Sequence, residues 1–528
     1  MPVNYGALQG YALTINKFID HAARWHPAAE VMTRGPEGAV RRSSYAEVRS
    51  RAARLSTALA GLAVRGGDAV ATLAWNTQAH LEAWYAIMGM GAVCHTLNPR
   101  LSPAALADML AQSEARILIA SADLAAEVKA ILDELPAPLL VLAIDGPAGA
   151  FVRLGIPAEA LDGIVEATPV EAVWGAFGED APCGLCFTSG TTGPPKGVTY
   201  THRGNYLHTL RQLQADVAGL TARDTVMPVV PMFHANAWGL PFAAPAAGAR
   251  LVLPGREAQG RALAELIERE GVTVAAGVPT VWLGMFDHLD AAQHSLPSLR
   301  RIMVGGAAMP EALMRRIEAH GIEVQTTWGM TELSPLGTAT PPSEPFRDPA
   351  VSGRPALGLD LRLTDAGGEP LASQRDGEGH LWARGHSVVE RYLGDAEAAT
   401  SDGWFPTGDL ARIDESGMLT ITGRSKDLIK SGGEWINPAQ IEAIVARHPE
   451  VAKAAVIGRH DRKWGERPIL LVELNPAASI GDEELLAPLR QEVAPWWIPD
   501  AVLRLDIMPL AATGKVDKLY LRHQYAGM

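Results

Sequence analysis

A chain of 528 residues, 48% apolar and with a formal charge of −13, has enough hydrophobic material for more than one packed domain. The negative balance argues against a nucleic-acid binder or a protein held on an anionic membrane surface. Three cysteines, Cys94, Cys183 and Cys186, are too few for a disulfide framework. Cys183 and Cys186 form a C-x-x-C pair, but no second pair exists to complete a zinc site. They flank a short apolar run rather than a helix start, so they read as buried structural residues. The N-terminus lacks a basic-then-apolar leader, the C-terminus carries no address signal, and no apolar run approaches the ~20 residues of a membrane span. A soluble, cytoplasmic protein without nucleic-acid or integral membrane contact is expected.

Ser44-Tyr-Ala-Glu47 reads as a capping box opening a helix with Val48, Ala52, Leu55, Leu59 and Leu62 on one face. A strand over Val70–Ala74, a helix from Thr77 to about Met90 stopped by Gly91, and a strand over Ala92–Leu97 follow. Ser102-Pro103 caps the next helix, with proline where its missing N–H costs nothing. Ile117–Ala120, a helix around Leu124–Leu135 and Leu139–Ile144 continue the alternation, which implies a largely parallel, doubly wound sheet. The same rhythm returns through Leu251–Leu253, Ala262–Arg269 and Val272–Val274, giving a second α/β subdomain. From about Val351 short strands (Leu361–Leu363, His380–Trp382, Leu419–Ile421) alternate with Asp/Gly turns, as in a small β-rich subdomain. After Gly423-Arg424 an α+β unit starts, with a helix at Asn437-Pro438 and strands near Ala455–Ile457, Ile469–Leu474 and Val502–Leu505. The fold class is α/β, with an N-terminal domain over 1–425 and an α+β C-terminal domain over 426–528.

The stretch Thr188–Val198 gathers four hydroxyls (Thr188, Ser189, Thr191, Thr192), three glycines (Gly190, Gly193, Gly197) and Lys196 into one loop. Such a loop turns backbone N–H groups, hydroxyls and one charge toward a polyphosphate. It is not a Walker loop, because Pro194-Pro195 precede the lysine and Gly197 follows it, which forbids a helix start there. Taken alone, a solvated Gly/Thr turn fits as well. The full string resembles the phosphate loop of the adenylate-forming enzymes: acyl-CoA synthetases, firefly luciferase and the adenylation domains of peptide synthetases.

Further segments resemble that family in its order, across most of the chain. Trp328-Gly329-Met330-Thr331-Glu332 matches an aromatic-Gly-x-Thr-Glu segment, which implies an aromatic face on adenine, Thr331 on the α-phosphate and Glu332, with Thr191, on Mg²⁺. Trp404–Asp409 resembles the Thr-Gly-Asp segment, implying that Asp409 accepts both ribose hydroxyls, as an ionised carboxylate is able to. Arg424 would then help hold ribose or phosphate, and Lys426 stands at the family's hinge. Ser431-Gly432-Gly433-Glu434-Trp435 resembles the loop beside the pantetheine channel. Pro509–Lys515 resembles the segment whose lysine, here Lys515, serves adenylation. Pro231–Trp238 would line the acyl site, with His234 near the reacting carboxylate and Trp238 resembling an aromatic gate. Gly305, Gly306 and Ala307 resemble the segment between adenine and acyl group. One departure is Glu390-Arg391-Tyr392, where many relatives carry Gly-Tyr, and no functional change follows from it.

The resemblance implies a carboxylic acid–CoA ligase using ATP, Mg²⁺ and coenzyme A, most like medium- and long-chain fatty acyl-CoA synthetases and methylthiopropionate–CoA ligases. It further implies a mobile C-terminal domain, swinging about Lys426 to exchange Lys515 for the Gly432-Gly433 face, and a homodimer. Arylalkanoic acids are an alternative substrate. A luciferase-like oxidase, a carrier-loading module and a non-catalytic nucleotide-binding protein are the readings of other classes. No carrier domain follows Lys515, and a degenerate regulator would show gaps in the motif set, where there are none.

Overall fold

The computed structural model describes residues 8–35, 38–188, 195–342, 348–432, 434–475, 478–511 and 515–526. Its first sheet is doubly wound, as the alternating pattern implies. Ala69–Leu73 lies at the centre, parallel to Val93–Thr96 on one side and to Ile117–Ser121 on the other. Leu140–Ile144 and Ala158–Ala160 extend it beyond Ile117–Ser121. Pro182–Phe187 pairs in parallel with Val93–Thr96 and then antiparallel with Gly197–Thr201. Thr188 and Lys196 therefore face each other where that hairpin narrows, and Thr188 N–H donates to the Lys196 carbonyl at 2.9 Å.

The local signals at helix starts hold. Ser44 and Glu47 exchange both bonds of a capping box, Thr77 accepts from the N–H of His80, and Ser102 accepts from that of Ala105. Boundaries move by a residue or two. Thr77 caps the helix Gln78–Gly89 rather than belonging to it, and a 3₁₀ turn, Ala122–Leu124, precedes the helix Ala125–Glu134. Gln78–Gly89 is buried at every position because it lies between the first sheet and the strand Glu30–Arg34 of the second. Its polar members are buried only because each is paired: Gln78 donates to Glu82, His80 meets Thr72, and Arg51 lies 3.0 Å from Glu82.

The second sheet carries parallel strands Thr225–Pro228, Arg250–Leu253, Val274–Gly277, Arg301–Val304 and Glu323–Gly329. Glu30–Arg34, more than two hundred residues upstream, joins in parallel beside Arg250–Leu253. No local periodicity announces that pairing. Leu336–Ala339 returns antiparallel to Glu323–Gly329. The β-rich subdomain is an antiparallel sheet of Leu359–Thr364, Gly377–Gly385, Phe405–Ile413 and Leu419–Arg424. After Arg424 comes one 3₁₀ turn, Ser425–Asp427, and the C-terminal sheet begins at Ile429. There Gly465–Leu474 pairs antiparallel with Val451–Asp461 and in parallel with Val502–Arg504, while Pro438–Val445 starts on an Asn437 cap. Asp427 is tied to the last helix through Arg522 at 2.6 Å, so the joint is anchored to the C-terminal unit.

Gly353 sits at φ +86°, where a Cβ would run into the Ala339 carbonyl. Its own carbonyl accepts from Leu419 N–H at 2.8 Å, which links the second sheet to the β-rich one. Gly353→Ala should therefore destabilise the protein by more than the roughly 1–3 kcal/mol of left-handed strain alone. A lowered urea midpoint at unchanged m-value would register it.

Candidate active site

Glu323–Gly329 ends where Gly329 meets the Pro335 backbone too closely for any side chain, and Met330 N–H donates to the Pro335 carbonyl at 3.0 Å. The loop so closed holds the 3₁₀ turn Thr331–Leu333. Two distant segments pin it: Tyr200 Oη–H donates to the Thr331 carbonyl at 3.0 Å, and Val389 N–H to that of Glu332 at 2.7 Å. Glu332 is only 8% exposed, and burial raises its pKa against the hydrogen bonds it accepts. One of those bonds comes from Tyr392 Oη–H, 3.0 Å from Glu332 Oε1. The same phenol ring carries the Lys196 ammonium 4.7 Å from its centroid. Tyr392 thus bridges the lysine of the Gly/Thr loop and the carboxylate of the Trp328–Glu332 segment.

Asp409 is 1% exposed on the strand Phe405–Ile413, directly across the ladder from Arg424. Its Oδ2 accepts from Trp328 Nε1–H at 2.9 Å. Arg424 Nε lies 2.8 Å from Oδ1 as an ion pair, but out of line for a hydrogen bond, so Oδ1 is buried without a donor. Burial raises the Asp409 pKa, while Arg424, Trp328, Lys515 and Lys426 pull it down.

Lys515 enters from the C-terminal unit. It keeps a solvent-exposed surface, yet its ammonium end is surrounded by protein and faces Arg424, Asp409 and Lys426. Enclosure first, then the positive charge of Arg424, lowers its pKa to about 8. Burial and then the charge of Lys515 lower the His234 pKa to about 4, so this imidazole is neutral at pH 7. Burial likewise lowers the pKa of Lys426. Lys196, Glu332, Asp409, Lys515 and His234, from five separate stretches of sequence, are linked in turn: Lys196 and Glu332 through Tyr392, Glu332 to Asp409, Asp409 to Lys515, and Lys515 to His234 by their charges.

His234 leads into a run of left-handed backbone: Ala235, Asn236, Ala237 and Trp238 have φ between +44° and +56°, followed by Gly239 at +77°. Each non-glycine residue there costs on the order of 1 kcal/mol or more. The turn is held by Gln212 Nε2–H donating to the Trp238 carbonyl at 2.9 Å and by backbone N–H groups of Ala235 and Asn236 donating to Cys186 Sγ. Cys186 is therefore buried, as expected, and is also a structural acceptor. The Trp238 ring comes to 3.3 Å from where a Cβ on Gly305 would stand. Gly306 is left-handed at φ +80°, and Ala307 beside it is exposed.

The chemistry of this donor set suits a nucleoside triphosphate. The orphaned Asp409 Oδ1 lacks only a hydroxyl donor of the kind a ribose supplies. A single buried carboxylate, Glu332, matches Mg²⁺, which takes few protein ligands beside phosphate oxygens. Among the described residues there is no cluster of three or more His, Cys, Asp or Glu side chains able to hold a metal alone. Gly432, Glu434 and Trp435 stand apart on an exposed hairpin tied to Trp464, whose carbonyl accepts from Gly432 N–H at 2.7 Å. Ser189, Gly190, Thr191, Thr192, Gly193 and Gly433 lie outside the described residues.

The profile of the AMP-binding enzymes matches residues 19–393, and that of the AMP-binding enzyme C-terminal domain matches residues 440–515. The chain belongs to the AMP-binding enzyme family. This AMP-binding enzyme is 41% identical to the 3-methylmercaptopropionyl-CoA ligase of Ruegeria lacuscaerulensis, over 98% of each chain. It is 40% identical to the medium-chain-fatty-acid–CoA ligase of Ectopseudomonas oleovorans, over 98% of this chain and 97% of that one. The ATP-bound MatB structure from Rhodopseudomonas palustris superposes with a TM-score of 0.85 at 26% identity, covering 97% of this chain and 99% of that one. The AMP-binding enzyme is thus an acid–thiol ligase of the acyl-CoA synthetase branch, acting on a carboxylic acid, ATP and CoA.

Sequence reasoning missed Tyr200 and Tyr392, and saw in Trp328 a ring face without the N–H that reaches Asp409. Tyr392 was named within the Glu390-Arg391-Tyr392 departure and given no role, because nothing local shows that its hydroxyl meets a carboxylate sixty residues away. Tyr392→Phe removes a hydrogen bond to a charged group, worth about 1.5–3 kcal/mol. Without that donor the Glu332 pKa rises further, so the acidic limb of acid-dependent pyrophosphate release should move to higher pH. A pH profile of that half-reaction at saturating ATP measures the shift.

Proposed function

We propose that this enzyme joins an aliphatic carboxylic acid to coenzyme A in two half-reactions. In the first, a carboxylate oxygen attacks the α-phosphorus of ATP, the bond to the β-phosphate bridging oxygen breaks, and pyrophosphate leaves. In the second, the thiol sulfur of CoA attacks the acyl carbon, its proton is released, and the C–O bond to AMP breaks. The observation that carries this reading is Lys515, held by the C-terminal unit yet facing Asp409 and His234 of the N-terminal one.

Bringing two anions together calls for positive charge and fixed positions. Lys515 and Lys196 would supply the charge, Asp409 and Arg424 would hold the ribose, and the Trp328–Gly329–Met330 backbone would flank adenine. Thr188–Gly193 would cradle the phosphates, and Thr331 would meet the α-phosphate. Mg²⁺, held by Glu332 with Thr191, would neutralise phosphate charge. The neutral His234, Gly305, Gly306, Ala307 and Trp238 would border the acyl group, with Trp238 as its gate. Domains over 1–425 and 426–528, turning at Lys426, would exchange Lys515 for the Gly432–Trp435 face when CoA enters. A cytoplasmic homodimer acting in fatty acid metabolism completes the reading. Relatives near 40% identity favour a medium- or long-chain fatty acid or a short thioether acid over an arylalkanoate.

Acids from acetate to palmitate, with methylthiopropionate and phenylacetate, should be assayed for CoA-dependent AMP formation. A medium- or long-chain fatty acid or the thioether acid is expected to lead, and oxygen consumption without CoA dependence would overturn the ligase reading. Lys515→Ala should lower adenylate formation by about 10²–10³ yet spare thioester synthesis from supplied acyl-adenylate. Because Lys515 titrates near 8 and only its protonated form carries charge, kcat/KM for ATP in the first half-reaction should fall above that pH. Lys515→Arg should move this limb upward.

A further inference from the structure

Past Pro228 the chain leaves the second sheet and runs to His234 through Val229, Val230, Met232 and Phe233, all buried. Backbone groups shut away there need partners, since an unmet one is costly. The N–H groups of Val229 and Val230 both reach the Ala276 carbonyl, at 2.9 and 3.0 Å. Three further groups meet a single side chain, Asn76, which follows the central strand of the first sheet. Its Nδ2 donates to the carbonyls of Pro228 and Val230 at 2.8 and 2.9 Å, and its Oδ1 accepts from Met232 N–H at 2.7 Å. Two partners can only accept and one can only donate, which fixes the orientation of the carboxamide.

Asn76 is 4% exposed and is itself held on both sides. Its carbonyl accepts from Gly255 N–H at 3.0 Å. The next residue, Thr77, caps the helix Gln78–Gly89 and donates to Asp145 Oδ2 at 3.0 Å. The preceding residue, Trp75, meets Phe233 edge-on with ring centroids 6.2 Å apart, and its indole N–H donates to Asp123 Oδ2 at 3.1 Å. Trp75 and Asn76 therefore seat Phe233 and Met232, the two residues before His234. From His234 the chain turns at once: its N–H donates to the Pro231 carbonyl at 3.0 Å, and its carbonyl accepts from Ala237 N–H at 3.1 Å. Among the described residues no hydrogen bond holds the His234 ring, so its place is set by its backbone and its packing.

We propose that Asn76 is a positioning residue for the first half-reaction: by fixing the backbone ahead of His234, its carboxamide sets where the acid's carboxylate is presented to the α-phosphorus. Asn76 acts through His234 and touches no substrate. It joins the first sheet to the acyl side of the site, so the strand that supports it and the turn that bears Trp238 keep one spacing. A displacement of about an ångström at reacting groups costs up to about a hundredfold in rate. A rigid support behind the groups that meet the substrate guards against such a displacement. This rests on the ligase reading and adds to it the side chain that aligns the acyl site.

Asn76→Asp keeps the size and the acceptor of the side chain and removes its donors when ionised; when protonated it regains one. Its kcat/KM for the acid in pyrophosphate release should fall by about ten- to a hundredfold, while the dissociation constant of ATP, titrated without acid, stays unchanged. Relative to the native enzyme at each pH, the deficit should shrink as pH is lowered, because protonation restores a donor to one of the two carbonyls. Asn76→Ala should show the same split between acid and ATP without that recovery. Loss of ATP affinity in step with the acid's kcat/KM would make Asn76 a general support of the fold and overturn the inference. A folded Asn76→Asp enzyme with native kcat/KM at every pH would overturn it as well. If the native enzyme releases no pyrophosphate with any acid, the ligase reading fails, and this inference with it. Native turnover with unaffected Asn76 variants defeats only the assignment of Asn76.

Discussion

The site depends on keeping two carboxylates, Asp409 and Glu332, almost wholly out of water. Burial raises the pKa of both, so each charge must be offset by donors and cations brought in from elsewhere. Asp409 draws on Trp328 and Arg424, and Glu332 on Tyr392. None of these partners is a sequence neighbour. The price of each buried charge is therefore a tertiary contact, and those contacts bind the second sheet, the β-rich sheet and the loop carrying Tyr392 into one site.

A second strained element adjoins the first. Left-handed backbone over Ala235–Trp238 stores energy that the surrounding bonds from Gln212 and Cys186 must offset. Cys186 lies on the strand that runs directly into Thr188, so the Gly/Thr loop and the turn bearing Trp238 share a support. The helix His202–Gln212 also reaches both sides, touching the turn through Gln212 and the segment after Glu332 through His208 and Arg211. Displacing any one of these segments disturbs the others, which is the rigidity expected where reacting groups must be held to fractions of an ångström.

Much of the chain was legible beforehand because its cues are local. Capping residues Ser44, Thr77, Ser102 and Asn437 start helices by bonding to N–H groups two or three positions on, and a reader of sequence sees both partners at once. The alternation of strand and helix likewise predicts parallel pairing, since each crossover is set by its own segment. Membership in the AMP-binding family was visible in motifs whose order survives along the chain. By contrast, Glu30–Arg34 pairs with Arg250–Leu253 across more than two hundred residues, and the Asp409 donor on Trp328 lies eighty-one residues away. Such partners leave no periodic trace.

By itself the sequence determined which residue types were available for phosphate, ribose and carboxylate chemistry, and the order in which they occur. Only tertiary structure decided how they are charged. Lys515 is an ordinary lysine until enclosure and the charges of Arg424 and Lys426 bring its pKa to about 8. Arg211 reads as a helix-surface arginine until the fold buries it beside Leu336, with no counter-ion among the described residues. A side chain's identity is covalent and local, whereas its desolvation and electrostatic surroundings come from segments that meet only when the chain has folded.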